Sequence, residues 1–351
     1  MDRYIGVDAH LKSCTFAILG PSGRRLREQI VETNGEALHQ FVLSISGKKH
    51  ICLEEGELSG WLCEVLSPLA VEVVVVQPER RRGTKSDALD AWALADLLRR
   101  GELTHVVYKA PGRFGGLREA VRAHRVTMRD LVRAKNRLRA VYRRRGLQPD
   151  RDIYNPRRRE AWLVQLPEHP QRLARLFTEH VDALAASAKR AEDWLLEEAR
   201  CYPIVGLIAT APGIGEVRAS QIVATVLTPH RFRTKRQFWS YCGLAVVTRS
   251  SSDWEQDQNR RWVRRQVALT RGLNHNRHPL LKEVFKGAAL SIVTLMPDHP
   301  LGRNYHRLLE AGTKPPLARL TLARQLAAAV LAMWKNLEAY DPARHDVPRA
   351  A

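Results

Sequence analysis

The amino-acid sequence predicts an α/β N-terminal domain, a long helical arm and a mostly α C-terminal domain. Three observations predict this. Short apolar runs bounded by turn residues alternate with helix-period segments over roughly the first 100 residues. A helix-period pattern with one-signed charge then takes over, broken once by a Pro- and Arg-rich stretch at residues 151–159. Beyond residue 203, Gly turns and helical spacing dominate. The corresponding domains are expected at residues 1–110, 111–202 and 203–351 of the 351-residue chain.

The N-terminal elements follow in order. Residues 4–8 and 13–19 read as paired strands, and residues 25–31 as a third after the turn Gly20-Pro21-Ser22-Gly23. Leu38, Phe41, Val42 and Ile45 share one face of a helix over residues 35–45. Residues 50–54 form a fourth strand, and residues 59–69 a helix with Trp61, Leu62, Val65 and Leu66 inward. The β-branched run 71–76 reads as a strand buried on both faces. Ser86 is suited to cap a helix that starts at Asp87 and runs to residue 98. The order β-β-β-α-β-α-β-α is that of the ribonuclease H fold.

That order brings together four acids. Asp8 ends the run Tyr4-Ile5-Gly6-Val7-Asp8, and Glu54 ends Ile51-Cys52-Leu53-Glu54. Asp87 and Asp90 are three apart in Lys85-Ser86-Asp87-Ala88-Leu89-Asp90, so both project from one helical face. An acid after a strand is, taken alone, more often a cap or turn residue. Four meeting at one topological point suggest divalent metal, because clustered carboxylates are costly to desolvate unless a cation offsets them.

The arm carries Leu117, Val121, His124, Met128, Leu131, Leu138 and Val141 at helical spacing over residues 113–145. Its polar face holds Arg118, Arg122, Arg125, Arg129, Arg133, Lys135, Arg137 and Arg139, against Glu119 and Asp130 alone. A charged helix face is usually just solvated; one of nearly a single sign suggests nucleic acid. A second helix over residues 171–200 would complete an antiparallel arm or dimerisation stalk.

In the C-terminal domain, Ala211-Pro212-Gly213-Ile214-Gly215 with Ala219 and Ile222 resembles a helix-hairpin-helix turn. In that turn Gly213 and Gly215 would offer backbone N–H groups to phosphate. Phe232, Phe238, Trp239 and Tyr241 read as core. Ser250-Ser251-Ser252 precede the basic run Arg260-Arg261-Trp262-Val263-Arg264-Arg265, a further candidate nucleic-acid contact. Three serines are ordinarily linker material, but a serine beside arginines in a metal nuclease can be a nucleophile. His275 and His278 lack an acidic companion and read as non-metal residues. Residues 317–337 read as an amphipathic packing helix.

Composition sets the partner class. Lys plus Arg number 57 against 37 Asp plus Glu, a net charge of +20. So large an excess of one sign predicts a polyanionic partner and salt-sensitive binding. Five scattered cysteines without a Cys-x-x-Cys pair predict free, mostly buried thiols. With no signal-like N-terminus and apolar stretches too short to span a bilayer, the expectation is a cytoplasmic protein without a membrane partner.

Taken together, these motifs resemble the DEDD-type transposases of bacterial insertion sequences, relatives of the Piv-type DNA invertases. Some members are bridge-RNA-guided recombinases. The resemblance spans nearly the whole chain: the two strand-end motifs and Lys85-Ser86-Asp87-Ala88-Leu89-Asp90-Ala91, then Pro212-Gly213-Ile214-Gly215, Arg231-Phe232, Gln237-Phe238, Gly243-Leu244 and the serine loop. It implies a RuvC-like metal site of Asp8, Glu54, Asp87 and Asp90 holding Mg²⁺ or Mn²⁺, two ions in all. It also implies a catalytic serine that becomes linked to a DNA phosphate. The family spacing of eight residues after the Gly of Gly-Leu places it at Ser251. Departures from the family pattern after Gly-Leu keep Ser250 and Ser252 as candidates. Glu55-Gly56-Glu57 replaces the family's Ala-Thr-Gly, so Glu55 or Glu57 can add to Glu54 or stand in for it.

The resulting expectation is a DNA recombinase that moves an insertion element through a phosphoserine intermediate. Its partners would be element-end and target DNA, a guide RNA and further copies of itself, as a dimer or tetramer, with the possibility that acids and serine come from different copies. The rival enzyme is a RuvC-like resolvase that cuts by metal-dependent hydrolysis. A binding scaffold with a degenerate metal site is a rival of another class. An actin-like sugar kinase is disfavoured by the charge and by the absence of Gly-rich phosphate loops.

Overall fold

The computed structural model describes residues 1–78, 86–107, 112–248, 254–264, 270–274 and 276–345. The chain divides into two compact units, Met1–Gly115 and Gly116–Ala351.

In the first unit β1 (Asp2–Ala9), β2 (Ser13–Leu19) and β3 (Arg25–Glu32) form an antiparallel meander. Helix α1 (Gly35–Ser44) leads to β4 (Lys48–Glu54), and α2 (Ser59–Leu66) leads to β5 (Glu72–Val76). Helix α3 (Asp87–Arg100) and the two-residue β6 (Val106–Val107) complete the unit, whose sheet order is β3-β2-β1-β4-β5-β6. Strands β1, β4 and β5 are mutually parallel, whereas β2, β3 and β6 run antiparallel to their neighbours. The predicted element order stands, so this unit is mixed α/β.

Strand alternation sorts the two faces of the sheet. Ile5, Val7, Phe16, Ile18, Ile51 and Leu53 join Leu38 and Val42 of α1 and Leu62 and Leu66 of α2 in one core. On the other face Ala17 and Leu19 meet Ala91, Trp92 and Ala95 of α3. Cys52 and Val76 meet Leu94 and Leu98 of the same helix. Small residues let α3 lie close: a Cβ at Gly6 would sit 2.7 Å from the Ala95 nitrogen and 2.9 Å from the Ala91 carbonyl carbon. The edge strand β3 turns charge to solvent, and Glu28 accepts a 2.6 Å hydrogen bond from Trp92 Nε1.

Three details differ from expectation. Helix α2 stops at Leu66, and residues 67–69 form a 3₁₀ turn, because Pro68 cannot continue the ladder. Strand β5 is not buried along its length. Val71 lies outside it and is 62% exposed, and only Val75 and Val76, the residues paired with β6, are buried. Strand β6 itself is too short to leave a periodic signal.

The second unit begins with α4 (Gly115–Arg143), followed by a 3₁₀ turn at Arg151–Tyr154, α5 (Glu160–Leu163) and α6 (Glu168–Arg200). Leu131, Ala134, Leu138, Val141 and Tyr142 of α4 pack with Ala174, Val181 and Ala188 of α6. Early residues of α4 face late residues of α6, as Gly116 does Glu198, so the pair is antiparallel. Then come α7 (Pro203–Ala209), α8 (Glu216–Val226), α9 (Lys235–Tyr241) and four short strands, β7 (Val246–Thr248), β8 (Trp254–Gln256), β9 (Trp262–Arg264) and β10 (Thr270–Leu273). Helices α10 (Pro279–Leu295), α11 (Pro300–Glu310) and α12 (Pro315–Asn336) close a mostly helical region. Helix α12 is only weakly amphipathic: Ala318, Leu322, Ala323, Leu326, Ala327, Val330 and Trp334 bury one half of its surface, but Leu320, Ala328, Ala329 and Ala332 make the other half apolar as well. It is long and apolar enough to cross a membrane by composition, and half of its most apolar stretch is buried inside the unit, as in a core helix. Cys14, Cys52, Cys63 and Cys242 are buried, Cys201 is exposed, and none of the five forms a disulfide.

Candidate active site

The face of the first unit's sheet that carries α3 collects the acids. Tyr4, Gly6 and Asp8 alternate onto this face of β1, and Cys52 and Glu54 onto the same face of β4. Strands β1 and β4 are parallel with Val7 opposite Leu53, so Asp8 and Glu54 come next in register at the same end of neighbouring strands. Glu54 also lines a small cavity with Leu94 and Leu97 of α3. Burial pushes the Cys52 thiol up to about 12, and Glu54 adds to the shift.

Helix α3 presents the other two acids. Ser86 caps it by accepting from the Leu89 nitrogen at 3.3 Å, and Gly101 ends it in a left-handed turn at φ +68°. Asp87 and Asp90 lie in the first turn, where the helix dipole favours negative charge. Asp8 holds a carboxyl pushed up by burial and further by Asp87 and Asp90, while His10 works against the shift. The structure therefore brings Asp8, Glu54, Asp87 and Asp90 to one end of one sheet face. Glu55 continues the β4–β5 ladder by donating its backbone nitrogen to the Val76 carbonyl at 2.7 Å. Glu57 lies in the exposed turn before α2.

One neighbour was absent from the sequence reading. His10, in the turn after β1, places Nε2 3.2 Å from Asp8 Oδ2 and 3.5 Å from Asp87 Oδ1. Ligand atoms of these three residues lie within 4.8 Å of one another. The Asp-x-His spacing was the available signal.

The basic residues separate by surroundings. Arg122, Arg129, Arg133 and Arg137 are exposed along α4, whereas Arg118 and Arg125 are half-buried. Arg125 lines a groove of about 550 Å³ with His124, Met128, Arg129, Arg133 and Arg218, among others. Lys135 instead lies 5.3 Å over the Tyr154 ring, with Arg139 at 5.7 Å. Gly213 has φ +69° and packs its α-carbon toward the Ala288 carbonyl, whereas Gly215 is exposed as the N-cap of α8.

Phe232 and Phe238 are buried with ring centroids 5.0 Å apart, the core role predicted for them. The stem of the serine loop is also fixed. Trp239 Nε1 donates to the Arg324 carbonyl at 2.9 Å, and Arg324 Nε donates to the Leu244 carbonyl at 2.7 Å. Strand β7 then pairs with β10, and β8 with β9. Ser250, Ser251 and Ser252 lie outside the described residues, as do Arg265 and His275, and of Arg264 only the backbone is described. Arg260 and Arg261 are exposed at the β8–β9 turn. Trp254 and Trp262, which the sequence reading did not select, are 54% and 66% exposed on the same hairpin.

Residues 5–144 match a family model for DEDD transposases of the IS110 type, described as a transposase. Residues 205–275 match a second model, described as a transposase of the IS116/IS110/IS902 family. The chain is 26% identical over 263 residues to y4qE of Sinorhizobium fredii, a protein whose name marks it as a candidate transposase. That match covers 72% of this chain and 65% of the relative's length.

Proposed function

Because the chain belongs to the IS110-type DEDD transposases, we propose that it moves an insertion sequence by cutting and exchanging DNA strands through a phosphoserine link. The observation that carries this reading is that Asp8 and Glu54 end neighbouring parallel strands, while Asp87 and Asp90 act on the Asp8 carboxyl from the first turn of α3. We read the first unit as RuvC-like on that basis.

The residues fit divalent metal. Burial, Asp87 and Asp90 all oppose charge on Asp8, and a cation would relieve that opposition. Hard oxygen donors of this kind suit Mg²⁺ or Mn²⁺. The four acids would hold two such ions. When bound, the ions supply Lewis-acid stabilisation of charge on the transferred phosphate.

In the proposed reaction Ser251 Oγ attacks a DNA phosphorus. The Oγ–P bond forms, the P–O3′ bond breaks, and the serine proton ends on the departing 3′-hydroxyl. A 3′-hydroxyl of another strand then attacks the phosphoserine and restores the serine. Bond energy is conserved, so no nucleotide triphosphate is consumed. Ser251 must reach the acids of its own or a partner copy, which accords with a dimer or tetramer.

The net charge of +20 and the exposed arginines of α4 support binding of DNA and of a guide RNA through phosphates. Arg260 and Arg261 beside exposed Trp254 and Trp262 add a surface suited to unpaired bases. The RNA partner rests on family membership.

The test is covalent trapping. Full-length protein, its RNA and labelled element-end DNA are incubated with Mg²⁺ and denatured, with Ser250, Ser251 and Ser252 each changed to Ala. A metal-dependent protein–DNA adduct lost in Ser251→Ala alone supports the reading. Cleaved DNA without an adduct in any variant replaces it with the hydrolytic resolvase.

A further inference from the structure

The turn between β1 and β2 carries a nitrogen donor that a four-acid description of the site omits. His10 faces two carboxylates from different elements, Asp8 Oδ2 at 3.2 Å and Asp87 Oδ1 at 3.5 Å. Adjacent ligands of an octahedral ion, each about 2.1 Å from it, are about 3 Å apart. These two separations are close to that spacing, and one ligand atom from each of the three residues lies within 4.8 Å of the other two.

The turn is held without help from the carboxylates. The His10 nitrogen donates to the Ser13 carbonyl at 3.0 Å, and Thr33 Oγ1 donates to the His10 carbonyl at 2.7 Å. The Thr33 nitrogen donates to the Lys12 carbonyl at 3.1 Å. These bonds tie the turn to the end of β3, so the imidazole is supplied from a fixed backbone rather than a free loop. Its position also makes the acid cluster asymmetric. His10 sits on the β2 side of Asp8, while Glu54 sits on the β4 side.

We propose that His10 is a metal ligand alongside Asp8 and Asp87, and that its nitrogen makes this end of the site prefer Mn²⁺ to Mg²⁺. The inference rests on the reading of the acids as a metal site. Its chemistry is the contrast between ions: Mg²⁺ keeps oxygen donors and water, whereas Mn²⁺, a transition-metal ion that shares its oxygen ligands, tolerates an imidazole nitrogen beside them. The end carrying Glu54 remains all-oxygen and has no such preference.

The experiment uses the full chain without nucleic acid. Mn²⁺ binding is measured from the solution EPR signal of the free ion, Mg²⁺ binding by competition, and ligand nitrogen by ¹⁴N coupling in pulsed EPR. Wild type, His10→Ala, His10→Gln and Asp8→Asn are compared, with circular dichroism as the check on folding. The expected result is ¹⁴N coupling in wild type that both His10 variants lose. Mn²⁺ should bind them about tenfold more weakly, and Mg²⁺ should change less than about twofold.

Coupling that persists in both His10 variants overturns the proposal. So does Mn²⁺ that binds wild type without coupling and is lost in Asp8→Asn, although the acid site then stands. Mn²⁺ binding that is absent, or indifferent to Asp8→Asn, removes the metal-site reading and the proposal with it.

Discussion

Gly6→Ala should loosen the seat of α3 and damage the site at the same time. The added Cβ would meet the Ala91 carbonyl oxygen head-on, with the Ala95 nitrogen at 2.7 Å and the Ala91 carbonyl carbon at 2.9 Å. These are backbone atoms of a helix and cannot rotate aside, so α3 must retreat from β1 by about 1 Å. Overpacking of this kind costs about 3 kcal/mol, less the roughly 0.5–1 kcal/mol that Ala regains by restricting the unfolded chain. A net loss of about 2 kcal/mol moves a urea midpoint down by about 1 M at an m-value of about 2 kcal/mol per M. Asp87 lies about one turn before Ala91 and Asp90 is the residue next to it, so both travel with it, and a misplacement of about 1 Å costs on the order of 100-fold in rate. Urea unfolding and strand cleavage would be measured together. Gly60→Ala, where an added Cβ meets nothing within 4 Å, serves as the control. A Gly6→Ala midpoint within about 0.2 M of wild type, with cleavage within twofold, would refute the reasoning that close packing of α3 positions the acids.

Other outcomes follow from the same structure. Gly213→Ala places a Cβ 2.6 Å from the Ala288 carbonyl oxygen of α10, at φ +69°, and should lower stability by about 2 kcal/mol or more. Gly215→Ala, with open space around it, should stay within about 0.5 kcal/mol in the same thermal or urea measurement. Burial holds His124 below the usual imidazole range, with Glu192 partly opposing. The unfolded chain therefore takes up protons first, and stability present above the unfolded imidazole pKa should fall as pH drops through the folded one. In His124→Leu that slope in urea midpoint against pH should be shallower, and an unchanged slope would count against the assignment. Asp8 is shifted upward, so its charge opposes folding above its folded pKa and ceases to do so once it is protonated. With EDTA at pH 7, Asp8→Asn should thus be more stable than wild type, and the gain should shrink as the solution is acidified.

Much of the first unit was legible because its signals are local. Strand β2 has the predicted ends, and the predicted cap Ser86 accepts from the Leu89 backbone nitrogen. The register that sets Asp8 beside Glu54 follows from alternation along β1 and β4, since a slip by one residue would turn both acids into the opposite core. His10 carries no local signal beyond Asp-x-His, and its approach to Asp87 depends on how α3 packs across the sheet. The short strands β7 to β10 are three or four residues each and carry no period to read. Helix α12 is the packing helix that its spacing suggested, with buried residues three or four apart, and apolar Ala328 and Ala329 on its less buried half weaken the contrast between its faces.

The central claim is that Asp8, Glu54, Asp87 and Asp90 work as one metal-dependent cleavage site. Its most direct test measures Mg²⁺-dependent cleavage of element-end DNA by Asp8→Asn, Glu54→Gln, Asp87→Asn and Asp90→Asn, beside salt-dependent DNA binding by each. The account predicts that every variant loses on the order of 100-fold or more in cleavage, while binding and its salt slope stay within about twofold of wild type. Cleavage retained in any one of the four, or lost only in step with binding, would contradict it.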